Sequence, residues 1–456
     1  MTTPPDPHAL LRSRAYVTLL VMAAVIGVPI SAVAWGFLAL VSKLQGWIFT
    51  SLPHGLGFHT EPLWWPIPPL ALAGLLTALA IKYLPGTGGH SPADPFKAGG
   101  APTPIQLPGV VLAALATLSL GAVLGPEAPL IAIGGGLGVC AIRLARRDAP
   151  ERTKAVVAAA GSFAAISTLL GSPLIGAFLL MEASGLSGAT LEIVLLPGLV
   201  AAGVGSLIFL GLGSWSGLGT FSLAIGHLPA FGTPDAPEFG WALAIGVLAA
   251  LLGSGIRWLA LFLRPHVQRR MVLLTPVAGL AVAGLAIAFA AGTGKASSEV
   301  LFSGQDALGP FVTSSASYGV AALLLLIACK GLAYSASMSG FRGGPVFPAL
   351  FIGAAGGMLM SHLPGLPLVA GVAMGIGAMS AVMLQLPLTS VLLATVLLGS
   401  DGLPLTPLAI VAVAVAYVAS ARLTPAPPPS SEPSSGGQAH EAPAPVVSSS
   451  RPAAEP

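Results

Sequence analysis

One carboxylate stands out as a candidate for chemistry. Glu127 lies in the phrase Gly125-Pro126-Glu127-Ala128-Pro129, between Val123-Leu124 and Leu130-Ile131. An ionisable side chain at membrane depth costs at least a few kcal/mol, and such residues mark ion or proton paths. The phrase occurs twice. Gly344-Pro345-Val346-Phe347-Pro348 repeats it at an offset of 219 positions (344 − 125), and Ile352-Gly353 repeats Ile133-Gly134 at the same offset. A proline opening an apolar, glycine-studded segment suits the first turn of a half-helix, whose free N–H groups attract an anion. Glu127 near the start of such a helix is a carboxylate that competes with a permeating anion for the same amides and is released by protonation. The plainer alternative is an acid that only complements the helix dipole at a membrane interface.

Other polar groups gather around the two copies. Leu84-Pro85-Gly86-Thr87-Gly88-Gly89-His90 is a glycine-rich turn after an apolar run. It can present N–H groups and the Thr87 hydroxyl to an anion. His90 reads as a turn or cavity-lining residue. Serines and glycines crowd the approach to the second copy, from Lys330 through Ser337, Ser339 and Gly340. Lys330 is either a pore cation or a side chain that snorkels to an interface. Cys140 and Cys329 sit in apolar runs without metal-ligand neighbours, which suggests packing.

The elements that must hold these groups are membrane helices. Of 456 residues, 55% are hydrophobic and only 8% charged, against about 25% charged in soluble domains. Apolar runs long enough to span a bilayer lie at 15–42, 64–84, 191–213, 240–263, 271–292, 319–338 and 403–422. The patterns are helical, without the short alternating strands of a barrel. The first run is too long for a signal-peptide core. Glycine and proline interrupt the apolar pattern at 85–107, 121–129, 171–173, 340–348 and 384–388. Matched breaks in two halves point to a central transport site. The expected organisation is a cytoplasmic arm 1–14, a first membrane half 15–213, a loop 214–239, a second half 240–423 and a disordered Pro/Ser-rich tail 424–456. Basic clusters at 12–14, 143–154 and 264–270 belong on the cytoplasmic side. The net charge of +3 is scattered, which argues against a nucleic-acid partner.

The stretch KGLAYSASMSGFRGGPVFPALFIGAAGG (330–357) resembles the signature of the CLC family of chloride channels and chloride/proton exchangers. LSLGAVLGPEAPLIAIGGGLG (118–138) resembles that family's G-R/K-E-G-P segment, and PGTGGH (85–90) its G-S-G-I-P loop. GSPLIGAFLLMEA (171–183) and LPLTSVLLATV (386–396) resemble its paired later helices. The likeness covers roughly residues 15–423. It implies an all-α polytopic fold, an inverted internal repeat of broken and re-entrant helices, and a homodimer with one pore per subunit. Carried over by position, Glu127 matches the gating glutamate and Thr87 the hydroxyl at the central anion. Gly88, Ala128, Val346 and Phe347 fall in the anion-binding segments. Glu182 matches the first residue of an acidic pair on a proton path.

The departures shape the expected mechanism. The family arginine before the gating glutamate is Pro126, and the glycine after it is Ala128. The filter phenylalanine aligns with Val346, with Phe347 one place on, and Pro345 has no N–H to offer. The second acid of the pair is Ala183. The family's inner tyrosine has no counterpart, because Tyr417 lies on the preceding apolar run. The resulting expectation is a chloride channel or transporter of the inner (plasma) membrane, weakly coupled or uncoupled to protons. The alternatives are a chloride/proton antiporter using Glu127 and Glu182, and a non-conducting membrane scaffold. No nucleophile–base pair or H-E-x-x-H motif points to an enzyme. No cofactor is expected beyond the transported anion.

Overall fold

The structure is a computed structural model describing residues 11–96, 100–185, 188–216, 225–226, 231–399 and 402–424. Most of the 1–14 arm, much of the 214–239 loop and the tail from 425 lie outside the described residues. Helix α1 (Arg14–Gly46) starts where the Ser13 side chain accepts from the Tyr16 amide, and it runs on through a π turn at Trp47–Ser51. The first half continues with α2 (Ile67–Tyr83), α3 (Leu107–Ser119), α4 (Glu127–Ala145), α5 (Glu151–Leu170), α6 (Pro173–Ser184) and α7 (Gly188–Ser216). The second half holds α8 (Ala236–Arg269), α9 (Met271–Thr293), the short α10 (Leu308–Thr313), α11 (Val320–Gly340), α12 (Val346–Met360), α13 (Leu368–Leu384), α14 (Pro387–Leu397) and α15 (Gly402–Leu423). No strand forms among the described residues.

The same packing scheme appears in each half. Helix α4 packs on α5, α5 on α7, and α1 on both α5 and α7. Likewise α12 packs on α13, α13 on α15, and α8 on both α13 and α15. Glycines make the tightest crossings. A Cβ on Gly134 would strike the carbonyl of Gly161, and one on Gly161 the carbonyl of Gly134. Gly353 and Gly375 block each other in the same way. The first members of these pairs differ by 219 (353 − 134) and the second by 214 (375 − 161), the offset that also links Pro173 to Pro387. The sharp turns before α6 and α14 correspond too. Gly171 has φ 61° and Gln385 φ 59°. The glutamine holds this left-handed conformation with its side-chain amide bonded to the Val382 carbonyl, 2.8 Å away.

Among the described residues, eight helices are long and apolar enough to cross a membrane. Two of them, α4 and α5, are absent from the apolar runs picked out in the sequence. Their cores are glycine-, alanine- and serine-rich, and the most apolar window of α5 is 72% buried, against 28% for the segment containing α1. A helix wrapped by protein has no need of the long side chains that face lipid. The run 64–84 is shorter than expected, because Trp64 and Trp65 lie in a turn and α2 starts only at Ile67. Outward, α1, α8 and α9 expose Val21, Val25, Leu243, Trp258 and Leu273. Such an apolar exterior belongs in lipid rather than water.

The glycine crossings give the first prediction. Gly353→Val forces α12 off the α13 backbone, and overpacking of this kind costs about 1–3 kcal/mol. Thermal unfolding in detergent is expected to show a clearly lowered midpoint, and an unchanged midpoint would refute the crossing.

Candidate functional site

The two repeated phrases meet face to face. The Gly125 amide donates to the Gly344 carbonyl at 2.8 Å, and the Gly344 amide returns the bond to Gly125 at 2.6 Å. This pair is an isolated antiparallel bridge. Two buried hydroxyls flank it. The Val123 amide donates to Ser337 Oγ at 3.0 Å, and the Arg342 amide donates to Thr117 Oγ1 at 3.2 Å. Val123 and Arg342 stand 219 apart (342 − 123), so each half caps the other half's incoming chain. Pro126 and Pro345 are the N-caps of α4 and α12, one place earlier than a first-turn proline. Both half-helices therefore begin beside the bridge, with first-turn amides left free by the helix.

Glu127 fills the space between them. Its side chain is fully buried, and Oε1 accepts from the Phe347 amide at 2.9 Å. The amides of Val346 and of Glu127 itself also face the carboxylate, while Oε2 has no hydrogen-bond partner among the described residues. The carboxylate presses so closely on Gly344 and Gly125 that a Cβ at either would collide with it. Glycine is required there for that reason, and a buried carboxyl group sits where helix termini favour negative charge. Val346 and Phe347 are buried with their amides turned to the site; the Phe347 ring packs in the core.

Residues of this segment line two cavities. Leu124 and Pro126 line one of about 160 Å³, together with Ser303, Gln305, Asp306 and Glu299. Ala128 and Ile131 line another of about 330 Å³, together with Gly86, Thr87, Gly89 and His90. Thr87 and Ala128 thus share a wall, with Gly88 buried just behind it. Gly86, Thr87, Gly88 and Gly89 have φ of 88°, 51°, 68° and 91°, a left-handed turn closed by the Gly89 amide on Gly86 O at 2.9 Å. Threonine is a rare occupant of that conformation, and Arg342 Nε donates to its carbonyl at 3.1 Å. Glu299 and Asp306, in the loop between α9 and α11, are raised above ordinary carboxylate pKa values by burial.

Glu182 lies elsewhere, at the end of α6. Its Oε1 accepts from the Leu388 amide at 3.0 Å, and its Oε2 from the Thr389 amide at 2.8 Å and the Thr389 hydroxyl at 2.7 Å. These are first-turn groups of α14. In the first half, Ser172 caps α6 from the matching position. Leu386 holds that position before α14 and has no side chain to cap with, so Glu182 supplies the acceptor from the other half.

Three further residues emerge from the structure. Lys330 neither lines one of these two cavities nor reaches an interface. It is fully buried, and Nζ donates to the carbonyls of Glu299, Val300, Leu301 and Phe302 at 2.8, 3.2, 3.3 and 3.4 Å, with the Phe351 ring 4.4 Å away. It fastens the loop that roofs the smaller cavity. Tyr334, fully buried on α11, donates its hydroxyl to Pro345 O at 2.9 Å, behind the N-cap of α12. A tyrosine thus backs the site from a helix where sequence reading did not seek one; its signal was a polar run, Tyr334-Ser335, in an apolar helix. Arg342, inside the second phrase's lead-in, is the third.

These features define a class: a helical membrane protein of two related halves whose half-helices begin together at a buried carboxylate. Residues 96–421 match the family model described as voltage gated chloride channel, and the chain belongs to that family. At 30% identity, 78% of the chain is similar to 82% of YfeO from Escherichia coli strain SE11, provisionally named an ion-transport protein. YfeO of Shigella boydii serotype 4 is similar to the same extent. Among solved structures, the fold is similar to that of a slow cyanobacterial Cl⁻/H⁺ antiporter (TM-score 0.70, 19% identity, 90% of this chain and 95% of that one). It is also similar to a CLC-type fluoride/proton antiporter (TM-score 0.63, 20% identity, 89% and 95%) and to a eukaryotic CLC transporter (TM-score 0.66, 15% identity, 90% and 72%). The protein is a multi-pass membrane member of a family of anion transporters and channels.

The contacts of Glu182 give a second prediction. Glu182→Ala removes the cap of α14, a loss worth about 0.5–2 kcal/mol, and thermal unfolding in detergent is expected to begin at lower temperature. If the midpoint does not move, the residue's bonds to α14 have no structural weight.

Proposed function

We propose that the protein passes small anions, chloride foremost, across the membrane by way of the site at Glu127, with weak or no coupling to protons. One observation carries this reading: an acidic side chain already occupies amides that begin two half-helices, with Glu127 Oε1 on the Phe347 N–H. A group that binds a carboxylate there can bind a halide when the carboxylate leaves. Protonation removes the charge that holds Glu127 against these amides, and the side chain then yields its place. The freed amides of Val346 and Phe347 receive the anion. Thr87, Gly88 and Ala128 carry it on the side of the larger cavity, where the Thr87 hydroxyl replaces part of its hydration.

Weak coupling follows from what surrounds the second acid. Ala183 cannot pass a proton, and Glu182 is held by three bonds to the start of α14. The second reading is a proton-coupled antiporter. It is supported by the two fold neighbours named for Cl⁻/H⁺ and fluoride/proton exchange, and by a buried Glu127 whose chain neighbours Pro126 and Ala128 each line a cavity. In either case we place the protein in the inner (plasma) membrane as a homodimer, acting without a cofactor, without nucleic acid and not as an enzyme.

Chloride efflux from liposomes, with external pH recorded together, separates the two readings. Efflux without linked proton movement is the expected result, and proton movement driven against its gradient would select the antiporter. In the same assay, Glu127→Gln is expected to raise flux at neutral pH by roughly tenfold, the worth of one charge-assisted hydrogen bond. Its flux should also lose dependence on pH. A variant with the pH profile of the native chain would remove Glu127 from the path.

A further inference from the structure

Among the described residues, Arg342 is a buried cation without an anion of its own. Its residue is 8% exposed, in a lead-in where Phe341 and Val346 are fully buried. Its side-chain hydrogen bonds go to main-chain oxygens, Nε to Thr87 O at 3.1 Å and Nη1 to Phe341 O at 3.2 Å. The charged groups that act on it are Arg264 and Asp94. Those two already form a bidentate pair, Nη1 to Oδ1 at 2.5 Å and Nη2 to Oδ2 at 3.2 Å. The three groups together carry one net positive charge. Burying a charge without its partner is costly. Carbonyl dipoles offset part of that cost and leave the charge itself uncancelled.

The placement gives this charge a use. The guanidinium stands directly behind Thr87, with Arg342 Cγ against Gly88, so that a Cβ on that glycine would lie 3.3 Å away. The other face of the turn lines the cavity of about 330 Å³ shared with Ala128. A positive charge in a poorly solvated wall projects its field into the cavity it backs. The main chain of the same residue is fixed by Thr117, next to the Gly125–Gly344 bridge. One side chain therefore ties the left-handed Thr87 turn to the second phrase.

We propose that Arg342 is a specificity-determining residue, whose charge draws a small monovalent anion into the Thr87-lined cavity while its Nε–H holds the turn in place. The proposal rests on the anion-path reading above and adds the source of the attraction. It separates two roles that a purely structural arginine would merge. Lysine keeps the charge and loses the fork; glutamine loses the charge.

The test uses the full chain, purified, with chloride binding measured by calorimetry and chloride flux measured in liposomes. Arg342→Gln is expected to weaken chloride binding roughly tenfold or more, as for loss of a charged partner, and to raise the chloride concentration for half-maximal flux. Arg342→Lys is expected to recover most of that loss. Asp94→Asn, at a partly exposed position outside the bridge, raises the local net charge and is expected to tighten chloride binding several-fold. It keeps the proposal testable even if Arg342→Gln does not fold. Equal weakening by lysine and glutamine, with no effect of Asp94→Asn, would reduce Arg342 to a clamp and overturn the proposal. Unchanged binding in all three variants overturns it as well, with native flux leaving the anion-path reading intact. Charge-dependent chloride binding in a native chain that shows no flux would uphold Arg342 and overturn that reading instead.

Discussion

The site depends on one reciprocal pair of hydrogen bonds, Gly125 to Gly344 and back. Two peptide groups buried in a membrane protein have no water to turn to, so each phrase needs a partner for its N–H and C=O. Each phrase finds it in its own repeat. That pairing sets the starts of α4 and α12 side by side and fixes where their free amides point. Thr117 and Ser337 extend the exchange, each hydroxyl taking an amide from the other half. Neither half can form the site alone, because the glycine bridge, its flanking hydroxyls and the Glu127–Phe347 bond are each completed across the interface between them.

Glu127 follows from this arrangement. Converging helix starts leave a concentration of N–H groups that must be satisfied, and an anion is the suitable partner. The chain supplies one covalently. Its carboxylate satisfies the Phe347 amide and leaves Oε2 unpartnered. A fully bonded carboxylate would be a permanent cap; an incompletely bonded one is what the proposed exchange with a mobile anion requires. The surroundings divide the remaining work. Lys330 and Tyr334 brace the second half-helix and the loop before it, and Arg342 braces the Thr87 turn.

Much of this was legible in the sequence because it is written in local patterns. The offset of 219 located both half-helices, and a proline beside a glycine marked each start. Glu127, Thr87, Ala128, Val346 and Phe347 could be singled out because a lone acid, a glycine-rich turn and a repeated phrase are visible without coordinates. What escaped was non-local. No pattern near Glu182 announces that Leu386, far along the chain, leaves α14 without a cap. Lys330 looked like a residue for water or a pore, yet four carbonyls from another segment enclose it. Helix α5 escaped as a span because a helix surrounded by protein is built from small residues rather than from the lipid-facing ones that hydropathy detects, and α4 escaped because its run of three glycines lowers its hydropathy. Arg342 lay within a recognised motif, and only its contact with Thr87, 255 residues away, gives it a role.

The central claim is that Glu127 occupies an anion site shared by the two halves. Anomalous diffraction from bromide-soaked crystals of the native chain and of Glu127→Gln tests it most directly. The account predicts a bromide peak in the variant within hydrogen-bond distance of the Phe347 amide, at the place the native carboxylate holds, and a weaker peak or none there in the native chain. Bromide absent from that place in both, with the glutamine side chain free to leave it, would contradict the claim.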